Sequence, residues 1–451
     1  MKRRTAILIA LIVLTLGMSR PAAAQQRYIV VSTGGLSSVL NLCGLLGCQV
    51  QGTLDGNVGQ TFLVASANLL NTTLTLVESL LGIVSIEPDH LLPIGRPSLP
   101  SIPYGLYDTS PVNYYGAAVW HGYAAQPAAQ IIRLQDAQNG FGISGTGIVA
   151  LIDTGVDPYH PVLQPVLLQG YDFTRNRPGA SEWLDVTGTQ MGNQNSQGQP
   201  GYVQQSTAAV LDQSTAAVLD GSPCAAFGHG TMTSGLVHLV APGAKILPLK
   251  AFSADGTGYL SNIVAALYYA VQNHANVVNM SFDLSSSSSA LNRAVSYANK
   301  AGVVLVAAAG NESTSAAVYP AAINGKVVGI ASTTDRDTRS SFSNYGPADV
   351  WIAAPGEYVI STYPGGTYAS ESGTSFSSPL VAGTVALLLN AKESGFNQSN
   401  VANALANAQL LTPELNHGRL NVYQAVSAWV NGISSSATSG SSSNSCLLLC
   451  L

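Results

Sequence analysis

The chain has 451 residues, long enough for two domains with appendages, and 46% of them are hydrophobic, enough for a sizeable core. Only 9% are charged and the formal net charge is -5, so there is no basic excess to neutralise a phosphate backbone, which argues against nucleic acid as a partner. A surface this poor in charge must be wetted by Ser, Thr, Asn and Gln, which suits an extracellular protein.

Lys2, Arg3 and Arg4 precede an apolar run from Ala6 to Leu16 and then Pro21-Ala22-Ala23-Ala24. A basic start, a short greasy segment and small residues at the cut site describe a secretory signal peptide over residues 1–24. A membrane anchor would need about 20 apolar residues. The expected location is secreted, extracellular or periplasmic, with no membrane attachment in the mature form. Among the cysteines, Cys43–Cys48 and Cys446–Cys450 each permit a small closed loop, with Cys224 left over, but spacing does not settle the pairing. No His lies at ligand spacing from either pair, which argues against zinc.

Residues 25–92 read as a compact α+β unit. Tyr28 to Val31 is a strand, Leu36 to Leu46 a helix, and Gln49 to Leu54 and Thr61 to Val64 are strands joined through Asp55-Gly56. A second helix over Leu74 to Leu81 and a strand over Ile83 to Ile86 complete a β-α-β-β-α-β order. Pro93, Pro97, Pro100 and Pro103 then mark an extended linker, taken as 93–127.

From 128 to 432 buried strands alternate with helices. The strands are Gly147 to Ile152, Lys245 to Leu249, Asn276 to Met280, Val303 to Ala308 and Lys326 to Ile330; Ser261 to His274 and Ala290 to Ala301 are helices. This predicts an α/β domain with a largely parallel sheet covered on both faces. Residues 172–223 interrupt it as a polar insertion with a tandem octapeptide, Gln205 to Asp212 and Gln213 to Asp220, and 433–451 form a Ser-rich tail.

Four segments place a reactive side chain at the end of a strand or the start of a helix: Asp153 after Ile148 to Ile152, His229 between Gly228 and Gly230, Asn311 after Ala307 to Gly310, and Ser375 ahead of the apolar run Leu380 to Leu389. Singly, each has an ordinary structural reading as a cap or turn residue. Together they supply what acyl transfer needs. Ser375 is the nucleophile, His229 its base near neutral pH, and Asp153 the group that fixes the imidazole tautomer. The Ser375 N–H and the Asn311 amide are the donors to the oxyanion.

The order Asp, His, Asn, Ser and the segments Asp153-Thr154-Gly155, Gly228-His229-Gly230-Thr231 and Gly373-Thr374-Ser375-Phe376-Ser377-Ser378-Pro379 resemble the subtilisin family of serine peptidases. Ala308-Ala309-Gly310-Asn311 matches that family's oxyanion segment. The likeness runs from about Val119 to Val430, and residues 27–92 resemble the family's inhibitory propeptide. It implies a subtilisin-like α/β fold and a secreted serine endopeptidase made as a self-processing zymogen. Its partners would be polypeptide substrates and its own propeptide, with autocleavage between Leu92 and Gln130.

By the same resemblance, peptide would bind along Ser281, Phe282 and Asp283 with Ala309, Gly310 and Val318. The family's Ser-Leu-Gly-Gly reads Ser281-Phe282-Asp283-Leu284 here, and Val318 in place of Gly implies a shallower apolar pocket. Nine residues after Asp153, where calcium-binding relatives carry Asp, stands Val162, which cannot ligate a hard cation. No cofactor is expected to be required; calcium remains open as a stabiliser, without support for the family's principal site. The rival readings are a catalytically silent binding or inhibitory protein on the same fold, and an acid peptidase with a Glu base, which His229 and Asn311 oppose.

Overall fold

The computed structural model describes residues 26–66, 82–94, 104–186 and 226–432. The expected signal peptide, the helix Leu74 to Leu81, the linker segment 95–103, the tandem octapeptide with Cys224, and the tail with Cys446 and Cys450 lie outside those residues.

The N-terminal unit comprises β1 (Gln26–Ser32), α1 (Gly35–Leu46), β2 (Gln49–Thr53), β3 (Thr61–Ser66) and β4 (Ile83–Pro88). They form an antiparallel sheet in the order β2-β3-β1-β4. The period-2 pattern of β1 divides its side chains between two cores. Tyr28 and Val30 join Val39, Leu42, Phe62 and Val64 beneath α1, whereas Ile29 and Val31 pack into the large domain with Ile263 and Leu291. Cys43 and Cys48 form a disulfide across the end of α1, where Gly47 turns left-handed at φ 69°.

The large domain is built on an eight-stranded sheet. Its strands are β6 (Ile148–Asp153), β7 (Tyr171–Asp172), β8 (Arg177–Pro178), β9 (Lys245–Lys250), β11 (Val277–Met280), β12 (Val304–Ala308), β13 (Val328–Thr333) and β14 (Ile352–Pro355); β10 (Thr257–Tyr259) stands outside it. The order is β8-β7-β9-β6-β11-β12-β13-β14, and every pairing is parallel except the edge strand β8.

Alternation along β6 serves both faces. Val149 and Leu151 pack with α2 (His229–Val240) and α5 (Thr374–Ala391), while Ala150 and Ile152 pack with α3 (Leu260–Gln272) and α4 (Ser289–Lys300). The parallel sheet covered on both faces is thus the predicted one. β13 begins two residues later than expected and runs on to Thr333. Ser332 and Thr333, polar enough to read as loop, are fully buried, and the Ser332 N–H donates to Ser343 Oγ at 2.8 Å.

Helix α5 is long and apolar enough to cross a membrane by composition alone, but it is buried in the fold against α2. At that crossing a Cβ on Gly383 would lie 2.7 Å from Val240 Cβ, so the helices touch where a side chain is missing. The segment from Tyr104, expected as linker, is already packed on this domain: a hairpin of Pro111–Tyr114 and Ala117–Trp120 buries Tyr114 and Val119, and Tyr123 follows into the same core. The extended-chain signal comes from the prolines up to Pro103; beyond them the aromatic and aliphatic residues find a core.

Two carboxylates of the N-terminal unit cap helices of the large domain. Glu87 accepts from the N–H of Ala290 at 2.7 Å and of Ser289 at 3.2 Å at the start of α4. Asp89 accepts from the N–H and the hydroxyl of Ser261, each at 2.8 Å, at the start of α3, and pairs with Arg27. Both satisfy donors that a helix start leaves orphaned, and both place negative charge where the helix dipole favours it. Beyond them β5 (Leu91–Pro93) lies antiparallel to β10.

Candidate active site

Asp153 ends β6 at the C-terminal edge of the parallel sheet, where such sheets place their chemistry. It is buried, and a buried carboxylate persists only when donors meet it. Its Oδ1 accepts from the Thr154 N–H at 2.7 Å and lies 2.6 Å from His229 Nδ1, and its Oδ2 accepts from the Thr233 hydroxyl at 3.0 Å.

His229 opens α2 behind Gly228, whose φ of 91° suits glycine. The next residue explains the other glycines: a Cβ on Gly230 would lie 2.0 Å from the carbonyl oxygen of Gly155. The backbones after Asp153 and after His229 therefore meet directly. With Nδ1 on Asp153, the outward nitrogen Nε2 is buried and has no hydrogen-bond partner among the described residues.

Ser375 is the second residue of α5, where backbone N–H groups lack intrahelical partners. Its hydroxyl donates to the carbonyl of Ser281 at 3.1 Å rather than to the imidazole. The neighbouring Phe376 ring lies 5.3 Å from the His229 ring, so the start of α5 abuts the start of α2. Asn311 follows β12, and its Oδ1 accepts from the N–H and hydroxyl of Thr374 at 2.9 and 3.0 Å. With the oxygen committed to the residue before Ser375, what the amide offers on its other side is a donor, Nδ2.

The structure thus joins Asp153 to His229 and Asn311 to the residue preceding Ser375, and leaves the hydroxyl of Ser375 turned aside.

The peptide-binding residues divide. Ser281 is buried in a network with Asn279, Ser378 and the Ser375 carbonyl. Phe282 is 2% exposed with its ring 5.2 Å from that of Phe252, so its side chain packs in the core and cannot touch a peptide. Ala309, Gly310 and Val318 are also buried. Asp283 is half-buried, and burial, with the negative charges of Glu312 and Asp349, pushes its carboxyl up to about 7. The edge at Leu284 is occupied, since its N–H and carbonyl bond to Tyr319. Val162 is a core residue at 2% exposure.

Sequence reasoning missed Glu182. It lies in the polar insertion yet is 1% exposed, and it accepts from the hydroxyls of Thr154 and Thr231 and the N–H of Gly230. Burial pushes its carboxyl up to about 7, against those hydroxyls and the ammonium of Lys250. Lys250 is itself buried, held by the carbonyls of Thr154 and Phe252 and by Asp185. The large apolar cue in this stretch that packs is Trp183, whose ring lies 5.2 Å from that of Phe227, whereas Leu184 is exposed.

Residues 145–428 match the model of the subtilase family. The chain is 35% identical over 282 residues to thermitase of Thermoactinomyces vulgaris, covering 62% of this chain and 88% of that protein. It is 39% identical over 189 residues to subtilisin BL of Lederbergia lenta, covering 40% of this chain and 69% of that one. A solved lanthipeptide protease shares the fold, with a TM-score of 0.52 at 24% identity over 67% of this chain and 94% of that one. The chain belongs to the subtilase family and is a subtilisin-like serine endopeptidase that acts on polypeptides.

Proposed function

We propose that the protein is a secreted zymogen that processes itself. Its N-terminal unit is the inhibitor, and Asp153, His229, Ser375 and Asn311 carry the chemistry. The carrying observation is β5 on β10: Thr257 faces Pro93, Gly258 faces Leu92 and Tyr259 faces Leu91, and the Ile94 N–H donates to the Gly256 carbonyl at 2.8 Å. An extended segment added as a strand is how a peptidase grips main chain with little regard to sequence. The chain's own residues 91–94 hold the place a substrate would take, directly after the unit that caps α3 and α4. Substrate is accordingly assigned to β10, whereas on the Ser281 to Leu284 segment Leu284 is already bonded to Tyr319.

In the reaction, Ser375 turns from the Ser281 carbonyl to His229 Nε2, gives it the proton and attacks the scissile carbonyl carbon. The Ser375 N–H and Asn311 Nδ2 hold the oxyanion. Asp153 holds the imidazolium, which protonates the leaving amine as the C–N bond breaks. Water then attacks the acyl-enzyme with His229 as base, releasing the carboxylic acid and restoring the hydroxyl.

Ser375→Ala is expected to leave a full-length, unprocessed precursor, whereas the parent is secreted with a new N-terminus beyond Ile94. N-terminal sequencing of both proteins from a protease-free host decides it, since normal maturation of the variant rejects self-processing. The silent-protein reading draws on the hydroxyl of Ser375 bonding to Ser281 instead of His229. Covalent labelling of Ser375 by a peptidyl phosphonate rejects that reading.

A further inference from the structure

Glu182 sits on a short turn, Glu182–Asp185, at the start of the polar insertion. Backbone bonds bring it to the site: the Val156 N–H donates to the Ala180 carbonyl at 2.8 Å, and the Glu182 N–H to the Val156 carbonyl at 3.1 Å. A Cβ on Gly155 would lie 2.4 Å from that Ala180 oxygen, so the approach needs the glycine, whose φ is 108°.

Oε1 of Glu182 accepts from the Gly230 N–H at 3.0 Å and from the Thr154 hydroxyl, and Oε2 accepts from the Thr231 hydroxyl at 2.8 Å. Thr154 follows Asp153 in the chain, and Gly230 and Thr231 follow His229. One carboxylate therefore ties the residue after the aspartate to the two residues after the histidine. The Gly230 N–H is also an orphan donor at the start of α2, where an anion is favoured.

We infer that Glu182 is a positioning residue of the peptidase: as a carboxylate it fixes the Asp153–His229 pair by tying Thr154 to the first turn of α2. This rests on the reading of Asp153, His229 and Ser375 as catalytic residues.

The three donors favour the ionised form, because the Gly230 N–H cannot accept and the Thr154 and Thr231 hydroxyls, each already accepting one backbone N–H, donate to the carboxylate. Burial opposes ionisation, and the charge of Asp153 adds to the opposition, so the group titrates at about 7. The charged groups that act on it are Lys250 on β9 and Asp153 on β6, with His229 bonded to Asp153 and Asp185 bonded to Lys250. Arg175 pairs with Asp185 and Asp172, and the backbone N–H of Asp157 bonds Thr231. Below about pH 7, Glu182 takes up a proton and the ties to Thr154 and Thr231 loosen. Because the base must itself be unprotonated to accept from Ser375, the Glu182 protonation adds a second proton to the acid limb of the activity.

The test uses the full-length chain carrying Glu182→Gln or Glu182→Asp, matured and titrated with a peptidyl phosphonate so that rates refer to reactive Ser375. With a chromogenic peptide from about pH 5 to about pH 9, the parent kcat is expected to fall on the acid side with a slope steeper than one proton. Glu182→Gln should reduce that slope to one proton and lower plateau kcat about tenfold, with KM within about twofold. Glu182→Asp should retain the steeper limb at reduced kcat, and it carries the test alone where the Gln variant does not fold. A purely structural role would lower the titrated fraction and the Tm while leaving kcat per site and the limb unchanged; that result overturns the proposal, as does a one-proton limb in the parent. A parent not labelled at Ser375 overturns the catalytic reading and this proposal with it, whereas a labelled parent with an indifferent Gln variant overturns this proposal alone.

Discussion

Ser281 and Ser375 are hydrogen-bonded to each other in both directions: the Ser281 hydroxyl donates to the Ser375 carbonyl at 2.8 Å, and the Ser375 hydroxyl donates to the Ser281 carbonyl at 3.1 Å. The first bond answers Pro379, which stands four residues after Ser375 within α5 and has no N–H to give that carbonyl. The second holds the Ser375 hydroxyl in a resting rotamer, away from the imidazole.

Ser281→Ala should therefore act on stability as well as rate. It orphans the Ser375 carbonyl and strips a partner from Asn279 and Ser378, an expected loss of about 1–3 kcal/mol. Urea unfolding in a Ser375→Ala background, where self-digestion is absent, measures it. An unchanged midpoint would mean that water replaces the hydroxyl.

Asn311→Ala removes the side-chain donor assigned to the oxyanion. The expected fall in kcat is roughly 10²–10³-fold with KM little altered, because the bond strengthens only as charge develops. Steady-state kinetics on a chromogenic peptide would show it. A rise in KM at constant kcat would instead make Asn311 a ground-state contact.

Asp283 gives a pH-dependent stability. Folded, the carboxyl titrates at about 7; unfolded, it ionises near about 4. Between those values the unfolded chain has released a proton that the folded chain keeps, so this contribution is full below about pH 4 and is lost as pH rises through about 7. Asp283→Asn cannot ionise and should melt about 2–4 °C above its parent at about pH 8, for each kcal/mol recovered. The two melting curves should converge at about pH 4.

Asp89→Ala removes the cap on α3, which crosses between the two units, and the partner that holds Arg27, whose guanidinium also crosses to donate to the Ser261 hydroxyl at 2.9 Å. The variant should let go of its N-terminal unit sooner, seen as a shorter lag before peptidase activity and less of that unit co-purifying. An unaltered lag would shift the hold on this unit to Glu87 and β5.

How far the residues disclosed this arrangement depended on contrast. Asp153, His229, Asn311 and Ser375 each break an apolar run at its boundary, and a polar group at the rim of a parallel sheet has few structural reasons to be there. Five strands of the eight-stranded sheet were legible for the same reason, as apolar runs punctuated by Gly and Asn; Tyr171–Asp172 and Arg177–Pro178 are two residues each, and Ile352–Pro355 is short and Ala-rich, so none of the three carried a pattern. Glu182 offers no contrast, because Arg177 to Asp185 mixes polar and apolar residues without a period, and its burial follows from a backbone approach to Gly155 that no local pattern encodes. Phe282 was placed against peptide through the likeness of Ser281-Phe282-Asp283-Leu284 to the family's binding edge, whereas its ring turns inward to Phe252. The added strand on β10 was equally hidden, since Thr257 to Tyr259 is only three residues long.

The meeting of Gly155 with Gly230 reaches beyond local packing. Where two main chains rest on one another with no side chain between them, peptide geometry, which hardly yields, bounds how near the aspartate and histidine segments come, and the Glu182 carboxylate ties them within that bound. Loosening the aliphatic layers beneath, at Leu151 or Val237 for example, should therefore shorten the working life of the enzyme while each surviving molecule turns over at its former pace.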